Sequence, residues 1–409
     1  MLADLTSAAY LTADLPGIGG ALRERTDDFL VQEQPATQPG GTGGFAWLYV
    51  QKRGLTTDEL VRRVASAFRL PRRAVAWAGL KDKRAVTMQH LSVDLSAGDP
   101  SDGEGLDDAA VAQAVARLEQ VQDVELLWVD RHDQPIERGE HGGNRFIVKL
   151  RQVQPTDVLR ARPILERLAD QGVPNYIGPQ RFGPRMRGHL VGRAILLGQW
   201  QQALDLMLAP PEDNAVDGAP AASDDLVRAR RAYASGDYEQ ALQHYPKRLR
   251  WDRQALDALR QGASAAQAVA AIAPQQRRML ATAWQSAVFN HVLAARLRSG
   301  AWPGPLPGDV LEDNAATGPM CAAGVPAAQQ VPGDLERQAL DAAGVDDALL
   351  DQPDLLEPRR RPLVVQLGSP EFSGGVDEHG PYLRVGFTLP RGAFATVALR
   401  ELMKSPAAR

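Results

Sequence analysis

Apolar and polar positions change period several times along the chain. DDFLVQEQ at 27–34 predicts a strand, and FAWLYVQK at 45–52 predicts a second, with Gly-rich GGTGG at 40–44 as a loop between them. Thr56 with Glu59 three positions later is a capping-box signature. Leu60, Val61, Val64, Ala65 and Phe68 follow at helical spacing, so 57–69 is predicted to be a helix with one apolar face. AVAWAGL at 74–80 reads as a short, fully apolar strand ending in the charged run Lys81-Asp82-Lys83-Arg84. Phe146, Val148 and Leu150 alternate with polar neighbours and predict a half-buried strand.

From about residue 157 the texture becomes helical. The Pro-, Ala- and Asp-rich stretch 209–224 reads as a loop. Leu280, Ala283, Trp284, Ala287, Val288, Val292 and Ala295 mark a long amphipathic helix ending at Gly300, and 301–333 reads as irregular. Strand signals return at 362–368 and 382–389, before a final helix at 393–403. Strand-rich ends around a helical middle suggest an inserted domain. GQWQQAL at 198–204 and GDYEQAL at 236–242 share a spacing, but two copies fall short of the three or so that a solenoid needs. A pair of ordinary packed helices is the simpler reading.

Composition bounds what this pattern can do. The 409 residues suffice for two or three domains. The formal net charge of −4 speaks at first against a nucleic-acid binder. The acids are unevenly spread, however. Residues 94–126, read as mostly loop with a helix near 107–120, hold nine acids and one base, and 309–357 hold eleven acids and one base. With both windows set aside, 44 bases face 30 acids, so a basic face and an acidic exterior are expected together. The lone Cys321 excludes a disulfide framework and a cysteine-based zinc cluster, and fits a reducing compartment. No apolar run reaches the length of a membrane span, and the N-terminal residues lack the pattern of a signal peptide, so a cytoplasmic protein is expected.

The sequence contains no complete dinucleotide fingerprint, Walker A loop, nucleophile elbow, His-Glu-x-x-His pair or Cys-x-x-Cys pair. Polar clusters at strand ends remain. In AGLKDKRAVTMQ at 78–89, Asp82 lies between Lys81 and Lys83. Neighbouring positive charge keeps a carboxylate ionised, and an ionised, positioned Asp can act as nucleophile or base. The plainer alternative is a solvated turn. Asn144 and Phe146 could read and stack a base, or simply belong to a strand entering the core. The segment 172–193 interleaves Asn175, Gln180, Arg181, Phe182, Arg185 and Arg187 with glycines, a composition suited to phosphate contact and stacking, or to a solvated loop.

Taken in order, these segments resemble the tRNA pseudouridine synthase D (TruD) family: DDFLVQE at 27–33, AGLKDKRAVTMQ at 78–89, GGNRFIVKLR at 142–151, GVPNYIGPQRFG at 172–183, QSAVFN at 285–290 and FTLPRGAFATVALREL at 387–402. The resemblance implies isomerisation of uridine to pseudouridine in tRNA, at position 13 in bacterial members. It implies that Asp82 is the catalytic aspartate, with Lys81 and Lys83 beside it. Phe29, Asn144 and Phe146 would bind the target base, and Arg23 would stand where the family often has lysine. It also implies an α+β fold: a catalytic domain with a mixed, mostly antiparallel sheet and flanking helices, split by an inserted α/β TRUD domain, with two lobes around a basic cleft. The catalytic domain is expected at 1–156 and 359–409 and the insertion at 157–358. Asn175, Gln180, Arg181, Phe182, Arg185 and Arg187 are expected to contact RNA. No metal, cofactor, membrane or protein partner is implied, and a monomer is expected. The competing class is a non-catalytic RNA-binding or tRNA-folding protein using the same cleft; a uracil-directed glycosylase is a further alternative.

Overall fold

In the computed structural model, described for residues 9–97, 105–210 and 223–405, Thr56 and Glu59 close the capping box that their spacing predicts. The chain divides into two compact units. Among the described residues, one comprises 14–172 and 366–405, the other 173–365 with residues 9–13.

The first unit is built on an eight-stranded sheet. In chain order it contains Phe29–Pro35 (β1), Phe45–Arg53 (β2), Thr57–Phe68 (α1), Val75–Trp77 (β3) and Val86–Asp94 (β4). Asp108–Glu119 (α2), Val124–His132 (β5), His141–Arg151 (β6) and Val158–Gln171 (α3) follow. The sheet order is β12-β13-β6-β1-β4-β2-β5, where β12 is Gly368–Asp377 and β13 is Gly380–Leu389, and β3 pairs with β4. Every pairing is antiparallel except β1 with β4. The unit closes with Ala395–Met403, the last helix of the chain.

Leu48 and Val50 on β2, and Leu91 and Val93 on β4, form one core with Leu60, Val61, Val64 and Phe68 of α1. Each such burial contributes about 1.5–3 kcal/mol relative to an exposed side chain. At the other side of the sheet, Arg151 is buried between two carboxylates. It donates to Asp28 at 2.6 Å and to Asp377 at 2.6 Å, tying β6 to the start of β1 and to the end of β12. Helix α3 packs on β12, so the chain leaves this unit at 172/173 and returns at 365/366.

The second unit is mainly helical. Val173–Pro174 (β7) leads into Gly188–Leu196 (α4), Trp200–Leu208 (α5), Asp224–Ala234 (α6), Tyr238–His244 (α7), Arg250–Arg260 (α8), Ala265–Ala271 (α9) and Pro274–Arg298 (α10). Leu311–Glu312 (β8), Ala315–Met320 (β9), Gln330–Ala343 (α11), Asp347–Leu350 (α12), Arg359–Pro362 (β10) and Val364–Val365 (β11) complete it. Its strands form small antiparallel ribbons, β10-β9-β8 and β11-β7, and not the layer of a parallel βαβ unit. The two copies of the short repeat are α5, packed on α4, and α7, packed on α6. The final helix of the chain (α13) was expected at 393–403 and spans Ala395–Met403.

Some expectations change. The window 94–126 is not mostly loop: it holds the end of β4, α2 and the start of β5, with 98–104 outside the described residues. The stretch 301–333, read as irregular, contains β8, β9 and the first turn of α11. The stretch 362–368 is broken between the end of β10, β11 and the start of β12. Short ribbons and exposed edge strands lack the alternation that marks a half-buried strand. Of the loop read at 209–224, residues 211–222 lie outside the described residues.

Candidate active site

Asp82 stands in the loop between β3 and β4, and neighbouring elements hold that loop from several sides. Thr57, in the first turn of α1, accepts a hydrogen bond from the Lys81 backbone N–H at 2.9 Å and lies 3.1 Å from Gln89 Oε1, to which its hydroxyl donates. Lys52, at the end of β2, is fully buried and donates to the carbonyl oxygens of Leu55 at 2.7 Å and Asp82 at 3.0 Å. Burial pushes its ammonium down to about 8, while the charge of Asp82 opposes that shift.

The Asp82 carboxylate accepts a hydrogen bond from Arg23 Nη2 at 2.7 Å. Its side chain is 39% exposed and that of Arg23 is 21% exposed, so both are within reach of a substrate. Arg23 adopts φ 60°, a left-handed conformation that costs a non-glycine residue on the order of 1 kcal/mol. Its guanidinium carbon lies 4.1 Å from the centroid of the Phe29 ring. Phe29 meets Phe146 edge-on at 6.2 Å, and Phe146 packs against Phe387 at 5.7 Å. Asp82, Arg23, Phe29 and Phe146 are thus linked by successive contacts.

Asn144 lies two residues before Phe146 on β6, opposite Glu33 of β1 and Leu389 of β13. Its Oδ1 is buried and, among the described residues, has no hydrogen-bond partner. Gly143 makes room for this register. Its φ is 136°, and a Cβ there would lie 2.4 Å from the Leu389 carbonyl oxygen.

Lys81 and Lys83 do not face the Asp82 carboxylate. The Lys81 ammonium pairs with buried Glu33, and the Lys83 ammonium lies 3.4 Å from Glu59. Neighbours along a turn project to different sides, so adjacency in sequence did not become adjacency of charge. Glu33 also accepts from the His90 backbone N–H at 2.9 Å. Burial opposes its ionisation, yet the hydrogen bonds from His90 and the charge of Lys81 hold its carboxyl below the usual range.

Lys52, Glu33 and Thr57 escaped the sequence reading. A signal for two of them was present. Lys52 is in phase with buried Leu48 and Val50, and Glu33 with buried Phe29 and Val31. A charge in the apolar phase of a strand needs a partner.

A profile of the family described as tRNA pseudouridine synthase D (TruD) matches residues 6–317. The chain belongs to the tRNA pseudouridine synthase D family. A Geobacter sulfurreducens protein named tRNA pseudouridine synthase D is 35% identical, with 99% of each chain covered. One of the same name from Syntrophotalea carbinolica is 33% identical over 97% of this chain and 99% of the relative. A crystal structure from Methanosarcina mazei carrying the TruD designation superimposes with a TM-score of 0.79 at 26% identity, covering 98% of this chain and 96% of that one. The mixed α+β fold with a mainly antiparallel sheet is therefore that of TruD.

From Val173 onward the TruD segment at 172–183, with Arg185 and Arg187 just after it, lies in the second unit, where its residues take unlike roles. Asn175 is buried, donates to the Pro362 carbonyl oxygen at 2.8 Å and accepts from Arg361 at 2.5 Å. Phe182 is buried against His189, with ring centroids 5.4 Å apart. Arg185 donates to the carbonyl oxygens of Leu206, Met207 and Ala209 at the C-terminal end of α5. Burial, with Arg230 and Arg187 nearby, pushes the Arg185 guanidinium down to about 10. Asn175 and Phe182 are committed to the interior, and half-buried Arg185 spends its guanidinium on main-chain carbonyls. Gln180 and Arg181 are exposed and Arg187 is half-buried, so they remain open to a partner.

Proposed function

We propose that this chain isomerises uridine to pseudouridine at position 13 of tRNA, with Asp82 as the catalytic carboxylate. The observation that carries the reading is the accessible Asp82 carboxylate ion-paired with Arg23, which rests on the Phe29–Phe146 ledge. A stacked uridine must leave the stack before its glycosidic bond can be rearranged. The unpartnered Asn144 Oδ1 suits the N3–H of a flipped uracil. Phe29 is 1% exposed and its ring face carries Arg23, so its role here is to support that cation. Phe146, at 8% exposure, supplies the edge of the base pocket.

In the reaction the bond from C1′ to N1 breaks and a bond from C1′ to C5 forms. The proton on C5 is lost and N1 gains one, so the product is an isomer. Asp82 acts as nucleophile or as base in that sequence, and its hydrogen bond from Arg23 holds its carboxylate in position. Lys81 and Lys83 act on the loop through Glu33 and Glu59.

The inserted domain, expected at 157–358, is read here as residues 173–365, a reading supported by the compactness of that unit. Arg187, Gln180 and Arg181 are its RNA-facing residues. No helix among the described residues is long and apolar enough to cross a membrane. The reading includes a monomer acting in the cytoplasm, where a lone reduced thiol such as Cys321 is at home.

The test is Asp82→Asn. Pseudouridine formation should fall to background while tRNA binding persists. Retained wild-type turnover would remove Asp82 from the chemistry, and free uracil released by the unaltered protein would make the enzyme a glycosylase.

A further inference from the structure

Two family segments find no role at Asp82: NYIGPQRFG at 175–183 and QSAVFN at 285–290. In the second unit they meet. Asn290 of α10 accepts from the Ile177 N–H at 2.8 Å and donates to the Ile177 carbonyl oxygen at 2.9 Å, which fixes the segment leading to Arg181. Phe289, next to it, lies under the Arg361 guanidinium at 5.7 Å. Asn175 takes a hydrogen bond from the same guanidinium at 2.5 Å.

Arg361 belongs to the run Arg359-Arg360-Arg361 on β10, and strand alternation sorts the three. Arg360 turns inward, is buried, and pairs with Glu336. Arg359 and Arg361 project from the opposite face. Arg359 is exposed, as is Arg181. Among the described residues neither the Arg181 nor the Arg359 guanidinium has a hydrogen-bond or carboxylate partner. The three like charges are near enough to act on one another. Burial, then Arg359 and Arg181, push the Arg361 guanidinium down to about 10, and burial and Arg359 lower that of Arg181.

A cluster of guanidinium groups that repel one another, with Arg361 on Asn175 and Phe289 and the other two exposed, is arranged for an anion that comes from outside. Planar forks match phosphate oxygens bidentately. We propose that Arg181, Arg359 and Arg361 form a phosphate-binding site on the 173–365 unit that grips the sugar-phosphate backbone of tRNA. The proposal rests on the reading of the chain as a tRNA-modifying enzyme and adds to it a site made by residues far apart in sequence. Such a site supplies affinity and register, and reads no base.

The experiment compares the unaltered protein with the double variant Arg181→Gln, Arg359→Gln and with Arg228→Gln, an exposed arginine elsewhere in the unit. Equilibrium tRNA binding is measured from 50 to 300 mM salt, and thermal midpoints establish that each variant is folded. Each lost phosphate contact lowers the slope of log K against log salt by roughly 0.7–0.9. The double variant should therefore lose about 1.5 from the slope, and bind roughly thirtyfold more weakly near 0.1 M salt. Arg228→Gln should match the unaltered protein. An unchanged slope, with or without a loss of affinity, overturns the proposal. So does occupation of the site by millimolar inorganic phosphate that leaves tRNA affinity untouched, which would make it a small-anion site. Pseudouridine formation by the unaltered protein on the same tRNA tests the underlying reading separately.

Discussion

Lys52 holds an ammonium group at zero exposure between two carbonyl oxygens, one of them that of Asp82. With its proton leaving at about 8, the folded protein releases it before the unfolded chain, whose lysines titrate near 10.4. Between those values the unfolded state binds more protons, so this group makes stability rise with pH there. Activity should move the other way, because a neutral amine is a weaker donor to the carbonyl that positions Asp82. The turnover number is expected to decline as pH rises through about 8, and Lys52→Met should lack that limb. The variant also leaves two carbonyl oxygens unpaired, at a cost of about 1–3 kcal/mol in stability. Profiles of kcat from pH 6 to 10 decide the matter: identical alkaline limbs in both proteins would exclude Lys52. Arg23 shows a different sequence limit at this scale. Its charge was legible, but its strained backbone and its place over Phe29 were not.

Helix α1 carries two adjacent threonines with separate duties. Thr56 caps the helix, accepting from the Glu59 N–H at 3.1 Å. Thr57 accepts from the Lys81 N–H and so anchors the Asp82 loop. Thr56→Ala should lower stability by about 1 kcal/mol, seen as a lower thermal midpoint, with little loss of turnover per folded molecule. Thr57→Val should instead reduce kcat, because it frees the loop and strands a backbone donor. Equal effects of the two changes on both measurements would refute this division. The capping box and apolar face of α1 were readable in sequence because both are local, spaced by three or four residues. The contact from Thr57 to Lys81 was not, since nothing periodic relates a helix start to a loop twenty-four residues on. Strands β5, β8, β9 and most of β12 also went unseen, for they lie at edges or in short ribbons where alternation is weak.

Across the whole molecule, the acidic exterior expected from the window 309–357 is only partly realised. Asp309 pairs with Arg296 and Glu336 with Arg360, and all four side chains are buried or nearly so. Internal pairing consumes acids and bases together, and what remains of the charge pattern includes Arg359 and Arg361 of β10 and Arg181. Cys321 reports on the same unit. It is 3% exposed, and burial pushes its thiol up to about 12. At pH 8 its thiolate fraction is roughly a thousandfold below that of a free cysteine. A disulfide reagent should therefore react with the native protein very slowly and with a rate that tracks unfolding in denaturant. Fast labelling without denaturant would show that the 173–365 unit opens on its own.

The amino-acid sequence by itself determined the family, the candidate aspartate, the first helix with its cap, and the alternating strands that carry Phe29 and Phe146. These follow from motifs and periods, which are properties of residues close together in the chain. Tertiary structure alone decided which cation meets Asp82, that Lys81 and Lys83 serve other carboxylates, that Asn175 and Phe182 belong to the interior, and that Arg185 spends its donors on main-chain carbonyls. It also decided which arginines remain for an outside anion. Charges find partners by distance in space, as Arg23 finds Asp82 across fifty-nine positions, and no local pattern of residues encodes that distance.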